Sequence, residues 1–362
     1  MPKILFIAAH RENRSPSQRF RFEQYFDYLA QNGFEIEFSP LITEADDKIL
    51  YQKGNYFKKF ILLIKAIIRR LKDIRKAANA DVIFIQREAF LTGTTYFERK
   101  FKQTGKKIIF DFDDSIWLSN VSEANKKLNW LKNAQKTSSI IALSDMIFAG
   151  NAYLATYAKQ YNKNVFIVPT TIDTTDYQRI PKKNNSSKIC IGWSGSITTI
   201  QHFELAIPFL TELKKIYGDE ITIKVIGDGN YINKELNITG IAWIKEREVE
   251  EISSFDIGIV PQLDDEWTRG KCGLKGLQYM SLEVPTIMSP VWMNAGIIQH
   301  GENGFFAATT EEWVNIISKL IESPELRATI GKAARKTAED RYSVNANKDL
   351  YLKLINECIN SK

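Results

Sequence analysis

The chain has 362 residues, 44% hydrophobic and 25% charged, with a net charge of +6. That length suits two domains better than one, and no window reaches the run of apolar residues that a membrane span needs. Cys190, Cys272 and Cys358 lie far apart and exclude a disulfide framework or a zinc site, which points to a reducing compartment, while the positive charge points to anionic partners.

The opening MPKILFIAAH reads as a first strand and not as a secretory leader, because no small-residue cleavage site follows. The loop after it, HRENRSPSQRF, holds no glycine, so the G-x-G-x-x-G of a dinucleotide site is missing and a nicotinamide cofactor is not expected. Residues 57–76, FKKFILLIKAIIRRLKDIRK, form an amphipathic helical pattern. One arc carries Phe57, Phe60, Ile64, Ile67 and Leu71, the other Lys58, Lys65, Arg69, Arg70 and Lys72, with Asp73 the sole acid. The apolar arc is expected to pack on a sheet. The basic arc then faces outward, either solvated or against an anionic membrane surface.

Apolar runs at 81–86, 107–112, 146–150 and 165–169 alternate with helical stretches, as parallel strands buried on both faces do. This predicts an N-terminal Rossmann-like domain over 1–177. The polar segment QRIPKKNNSSK, 178–188, reads as a linker, and the alternation restarts with ICIGW at 189–193, ITIKVIGDG at 221–229, DIGIVP at 256–261 and VPTIMSP at 284–290. A second such domain therefore covers 189–342, and the C-terminal helix over 343–362 is expected to pack back on the first. The fold class is α/β, two doubly wound domains facing a central cleft, with ligands beyond the carboxyl ends of the strands.

Two kinds of loop stand at those ends. Ser194, Gly195 and Ser196, with Gly227, form small-residue turns, which serve either as plain strand-to-helix connections or as a phosphate cradle. In RGKCGLKGLQYMSLEVPTIMSPV, 269–291, a helix from about Lys271 would align Lys271, Lys275 and Gln278 on one face and leave Leu274, Leu277 and Ser281 to pack. Cations at a helix amino end cost a few tenths of a kcal/mol unless an anion lies nearby. Pairing with Asp264 and Asp265 on a solvated face is the alternative.

The segment 269–306 resembles the nucleotide-sugar motif of glycosyltransferase family 4, the retaining enzymes of GT-B fold. SPSQRFRFEQYFDYLAQNGFEI (15–36), FDFDDSIW (110–117), VFIVPTTID (165–173), IGWSGSITT (191–199) and VIGDG (225–229) extend the resemblance over nearly the whole chain. It implies transfer from a nucleoside diphosphate sugar to a lipid-linked or oligosaccharide acceptor in bacterial surface-glycan assembly, with no cofactor, no metal and no nucleic acid. The location implied is cytoplasmic, on the inner face of the membrane. Arg269, Lys271 and Lys275 would neutralise the diphosphate, where charge develops on the leaving group. Gln278, in place of the family's second glutamate, would hold the ribose; Gly270 replaces the first. Asp113 or Asp114 would face the reacting sugar, and Arg19 and Arg21 the acceptor or a phosphate. Asp111 and Asp113 also spell D-x-D, a metal motif of a different glycosyltransferase fold and common by chance. The missing glutamates leave two alternatives: a catalytically silent scaffold or binding subunit, and a nucleotide-sugar epimerase.

Overall fold

The structure is a computed structural model that describes every residue except 53, 119–132, 134, 183–186 and 362. The central part of the expected linker thus lies outside the described residues. The chain divides into two compact units, one of residues 1–170, 270–272 and 348–362, the other of 171–269 and 273–347. The division falls at 170 and not at 177, because Ile172 already pairs with the backbone of Tyr342 and Val344 in the second unit. The helix Val344–Asn360 joins the first unit only from Lys348, where Tyr351 stacks on Tyr25 with ring centroids 4.3 Å apart and Asp349 accepts from the Tyr28 hydroxyl.

The first unit is built on β1 (Lys3–Ala8), β2 (Glu35–Pro40), β3 (Val82–Gln86), β4 (Lys107–Phe112), β5 (Met146–Ala149) and β6 (Val165–Ile167). They pair in the order β2-β1-β3-β4-β5-β6, all parallel. β3 and β5 are buried along their whole length, as β-branched and aromatic runs demand when helices cover both faces. β2 is one of the two edge strands, and its EIEFSP alternates charge with apolar residues.

The second unit holds β7 (Ile189–Ser194), β8 (Ile221–Gly227), the short hairpin β9 (Ile232–Asn233) and β10 (Ile238–Thr239), then β11 (Ile241–Ala242), β12 (Ile257–Val260), β13 (Thr286–Met288) and β14 (Phe305–Phe306). Its main sheet runs β11-β8-β7-β12-β13-β14, again parallel throughout. In each sheet the strand order reverses beside the first strand, at β1 and at β7. Ligands of doubly wound sheets bind outside the carboxyl ends at such a reversal.

The helix Tyr56–Ala77 corrects the expectation from its pattern. Its buried residues are Lys59, Leu62, Ala66, Arg70, Asp73 and Ala77, whereas Phe57 is 76% exposed and Phe60 58%. The cause is Arg70, fully buried, which donates to the carbonyls of Ala8 at 2.7 Å, Ser39 at 3.1 Å and Ala89 at 2.6 Å and pairs with Asp73 at 2.7 Å. Asp73 in turn accepts from the Ser39 hydroxyl. The ends of β1 and β2 and the loop after β3 present carbonyls to this helix, and an arginine with its fixed fork of donors meets them better than leucine would.

Candidate functional site

At the reversal in the second unit, β7 ends in Ser194, Gly195 and Ser196. The Ser194 amide donates to the Tyr279 hydroxyl at 2.7 Å, the Gly195 amide to the Ile226 carbonyl at 2.8 Å, and the Ser196 amide to Thr199 Oγ1 at 2.9 Å. All three amides thus have partners within the second unit, and the Ser194 hydroxyl lies 2.9 Å from that of Tyr279. This corrects the phosphate cradle expected of these amides: the strand end is fastened to the helix Leu274–Ser281 through Tyr279, whose hydroxyl is buried and raised above its ordinary pKa by that burial, Ser194 opposing. At Gly227, the end of β8, a Cβ would collide with the Gly195 carbonyl.

Lys275 stands in the first turn of that helix, its Nζ 4.3 Å from the centre of the Trp193 ring. The indole face holds the ammonium by a cation–π contact. Gln278, on the same helix, is buried and donates to the Tyr177 hydroxyl at 3.1 Å, and Tyr177 donates to Glu248, which also accepts from the Trp243 indole at 2.8 Å. The glutamine is therefore part of a buried hydrogen-bond chain within the second unit.

The helix starts at Leu274 and not at Lys271. Gly273, its N-cap, has φ +67°, a conformation that costs glycine little and other residues more, and a Cβ there would collide with Ile297. Lys271 consequently shares no helical face with Lys275 and Gln278. It belongs to the short segment 270–272 of the first unit, where its Nζ lies 3.0 Å from Asp114 and its carbonyl accepts from Asn151 at 3.0 Å. Gly270 rests on Ser115 so closely that a Cβ would collide with that hydroxyl, so no carboxylate side chain fits there. Cys272 is buried beneath, its thiol pushed up to about 12 by burial.

Asp113 and Asp114 follow β4 and face Arg87, which follows β3 with a left-handed φ of 60°. Arg87 Nε lies 2.8 Å from Asp113 and its Nη2 3.3 Å from Asp114. Burial opposes the guanidinium charge, the two carboxylates outweigh it, and Arg87 is held protonated. Two carboxylates thus meet two cations, Arg87 and Lys271, at the carboxyl ends of β3 and β4. Arg87 escaped the sequence reading, although its place one residue past an apolar strand was the available signal.

Arg21 pairs with a different carboxylate. It is fully buried and ion-paired with Asp111, and it donates to the Val168 carbonyl, which replaces its expected phosphate role by a structural one. Burial drives the Asp111 carboxyl upward with Arg21 opposing, and Asp111 keeps the guanidinium charged. Asp111 and Asp113 therefore serve different arginines. Arg19 is half-buried over the Phe20 ring, and Arg269 pairs with Asp264 at 2.9 Å on the exposed surface, the alternative weighed for it from sequence.

Residues 175–337 match the family described as Glycosyl transferases group 1. A protein of Xenopus tropicalis named glycosyltransferase 1 domain-containing protein 1 is 32% identical over 123 residues, which span 34% of this chain and 35% of that protein. The chain thus matches about a third of its curated relative's length. Among solved structures, a glycosyltransferase from Rickettsia africae superposes with a TM-score of 0.71 at 15% identity, covering 100% of this chain and 99% of that one. HepE of Anabaena, solved in complex with UDP and glucose, gives a TM-score of 0.65 at 14% identity, covering 98% and 100%. These likenesses concern the fold, two parallel-sheet Rossmann-like units of the GT-B type.

Proposed function

We propose that this chain is a retaining, metal-independent glycosyltransferase that moves a sugar from a nucleoside diphosphate sugar to a lipid-linked or oligosaccharide acceptor. Its setting would be bacterial surface-glycan synthesis in the cytoplasm, with an anionic membrane surface as a further partner through residues 57–76. The observation that carries the reading is the group 1 match over 175–337, which takes in the strand ends of the second unit. HepE was solved with UDP and glucose, so a uridine diphosphate sugar is the first donor to test.

In this reading the donor lies on the second unit at the carboxyl end of β7. Lys275 supplies the positive charge for the departing diphosphate, and Trp193 beneath it fixes the ammonium in place, so little reorganisation is needed as charge develops. On the first unit, Asp113 and Asp114, oriented by Arg87 and with Lys271 as a second cation, are the carboxylates proposed to serve the acceptor hydroxyl.

Lys275→Ala should lower transfer from UDP-sugar by roughly a hundredfold or more. Its unfolding should change by only about 1 kcal/mol, the size of a lost cation–π contact. Wild-type turnover in that variant overturns the assignment. The burial of Gln278 against Tyr177 favours one second reading, a silent binding subunit, since the side chain at the family's second glutamate is committed within the protein. Calorimetric titration with UDP-sugar separates them, because a scaffold binds no donor.

A further inference from the structure

The helix Tyr56–Ala77 turns eight large apolar side chains outward, among them Phe57, Phe60, Ile64, Ile68 and Leu71. They occupy one arc, and Lys58, Lys65 and Lys72, spaced by seven and exposed, run along its flank. The helix has one acid, Asp73, and it is buried against Arg70, so the exposed face carries positive charge only. At 22 residues and about 1.5 Å per residue the helix is a rod of roughly 33 Å. Among the described residues no helix is long and apolar enough to cross a membrane.

We propose that this helix is an in-plane insertion element for an anionic lipid bilayer, sinking its apolar arc to the acyl boundary with the lysine row among the phosphate headgroups. The charge selects the occupant. A second copy of this chain would bring lysine to lysine across the contact, whereas an anionic bilayer takes both features at once: acyl chains receive the phenylalanines and isoleucines, and long lysine stems carry their ammonium groups out to the headgroups. The inference rests on the membrane partner proposed above and deepens it, because adsorption by a basic outer face gives way to insertion by an apolar one. It does not depend on the sugar-transfer chemistry.

The test uses the full chain and vesicles of phosphatidylcholine with or without phosphatidylglycerol, read by flotation. Wild-type protein should bind the anionic vesicles and keep part of that binding at about 0.5 M salt, where screening removes electrostatic adsorption. Phe57→Ser with Phe60→Ser should weaken it about tenfold or more, and Lys58→Gln with Lys65→Gln and Lys72→Gln should weaken it at low salt only. Phe57→Trp should show a blue-shifted emission on vesicles. No vesicle binding, binding abolished by salt, or unchanged binding in the serine pair overturns the proposal. So does a dimer in sedimentation that the serine pair dissolves, since the face would then belong to a second copy. Titrating the wild-type chain with UDP-sugar reports on the enzymatic reading separately: donor binding by a wild-type chain that fails to float with anionic vesicles rejects insertion alone.

Discussion

Two amphipathic helices, one in each unit, bury opposite kinds of face. Leu274–Ser281 follows the usual rule, with Leu277, Tyr279 and Met280 inward and Lys275 on the rim over Trp193. Tyr56–Ala77 puts Arg70 and Asp73 inward and Ile61, Ile64, Ile67 and Ile68 outward. Periodicity defines two arcs on a helix but does not say which one meets the sheet. The partner surface decides, and here it differs: the second helix meets β12 and β13, closed apolar strands, while the first meets strand ends and a loop whose carbonyls still require donors.

The sharpest way to break the contrast is to remove the group that creates it. Arg70→Ala takes from buried Asp73 its nearest cation, leaving Ser39 and, at 3.9 Å, Lys76, and strips three backbone carbonyls of their donor; it should destabilise the first unit by about 3–5 kcal/mol in urea unfolding. Arg70→Met with Asp73→Leu should recover much of that loss, because two well-packed apolar residues often match a buried ion pair. A single substitution that costs under about 1 kcal/mol would show that the inverted face is held by something other than this arginine.

The same distinction separates what the sequence reveals from what it hides. β1, β3 and β5 are nearly continuous apolar runs, so their burial on both faces can be read directly, whereas β2 alternates charge and lies at an edge, where one face is wet. The order of strands and loops was likewise legible, and with it the positions of Gly227, Lys275 and the Asp113–Asp114 pair. The pairings were not. Arg21 finds Asp111 ninety residues away, and Lys271 finds Asp114 across 157, distances over which local pattern carries no information. Gly273 is the exception, a visible helix-stopping residue passed over in favour of a periodicity that continues through it.

A second handle lies at the strand end that Arg70 holds. His10, two residues beyond Ala8, is half-buried beside Asp47 and within 3.3 Å of the Tyr51 hydroxyl, and loss of solvent around the ring lowers its pKa to about 4, with Asp47 opposing. The unfolded chain takes up this proton near its ordinary value of about 6.5 and the folded one does not. The His10 contribution is therefore complete above about pH 6.5, falls as pH drops through that value, and is lost by about pH 4, a change of roughly 3 kcal/mol. His10→Gln should flatten the stability profile across that window. A profile identical to that of the parent chain would mean that the ring is protonated in the fold.

The two helices also begin alike, and this gives the finest comparison. Asn55 and Gly273, their N-caps, both have left-handed backbones, with φ of 53° and 67°. Gly273→Ala adds a methyl group in a conformation that alanine disfavours and drives it toward Ile297, so a loss of about 1 kcal/mol or somewhat more is expected in unfolding of the second unit. Asn55→Gly meets no such penalty and should change stability by only a few tenths of a kcal/mol. The asymmetry follows from the side chain already present: asparagine tolerates the left-handed region, so glycine gains little there, whereas at 273 the backbone and Ile297 both exclude a Cβ. Equal effects at the two caps would show that the start of the lysine-bearing helix is set by Tyr279 and its hold on Ser194, with Gly273 incidental.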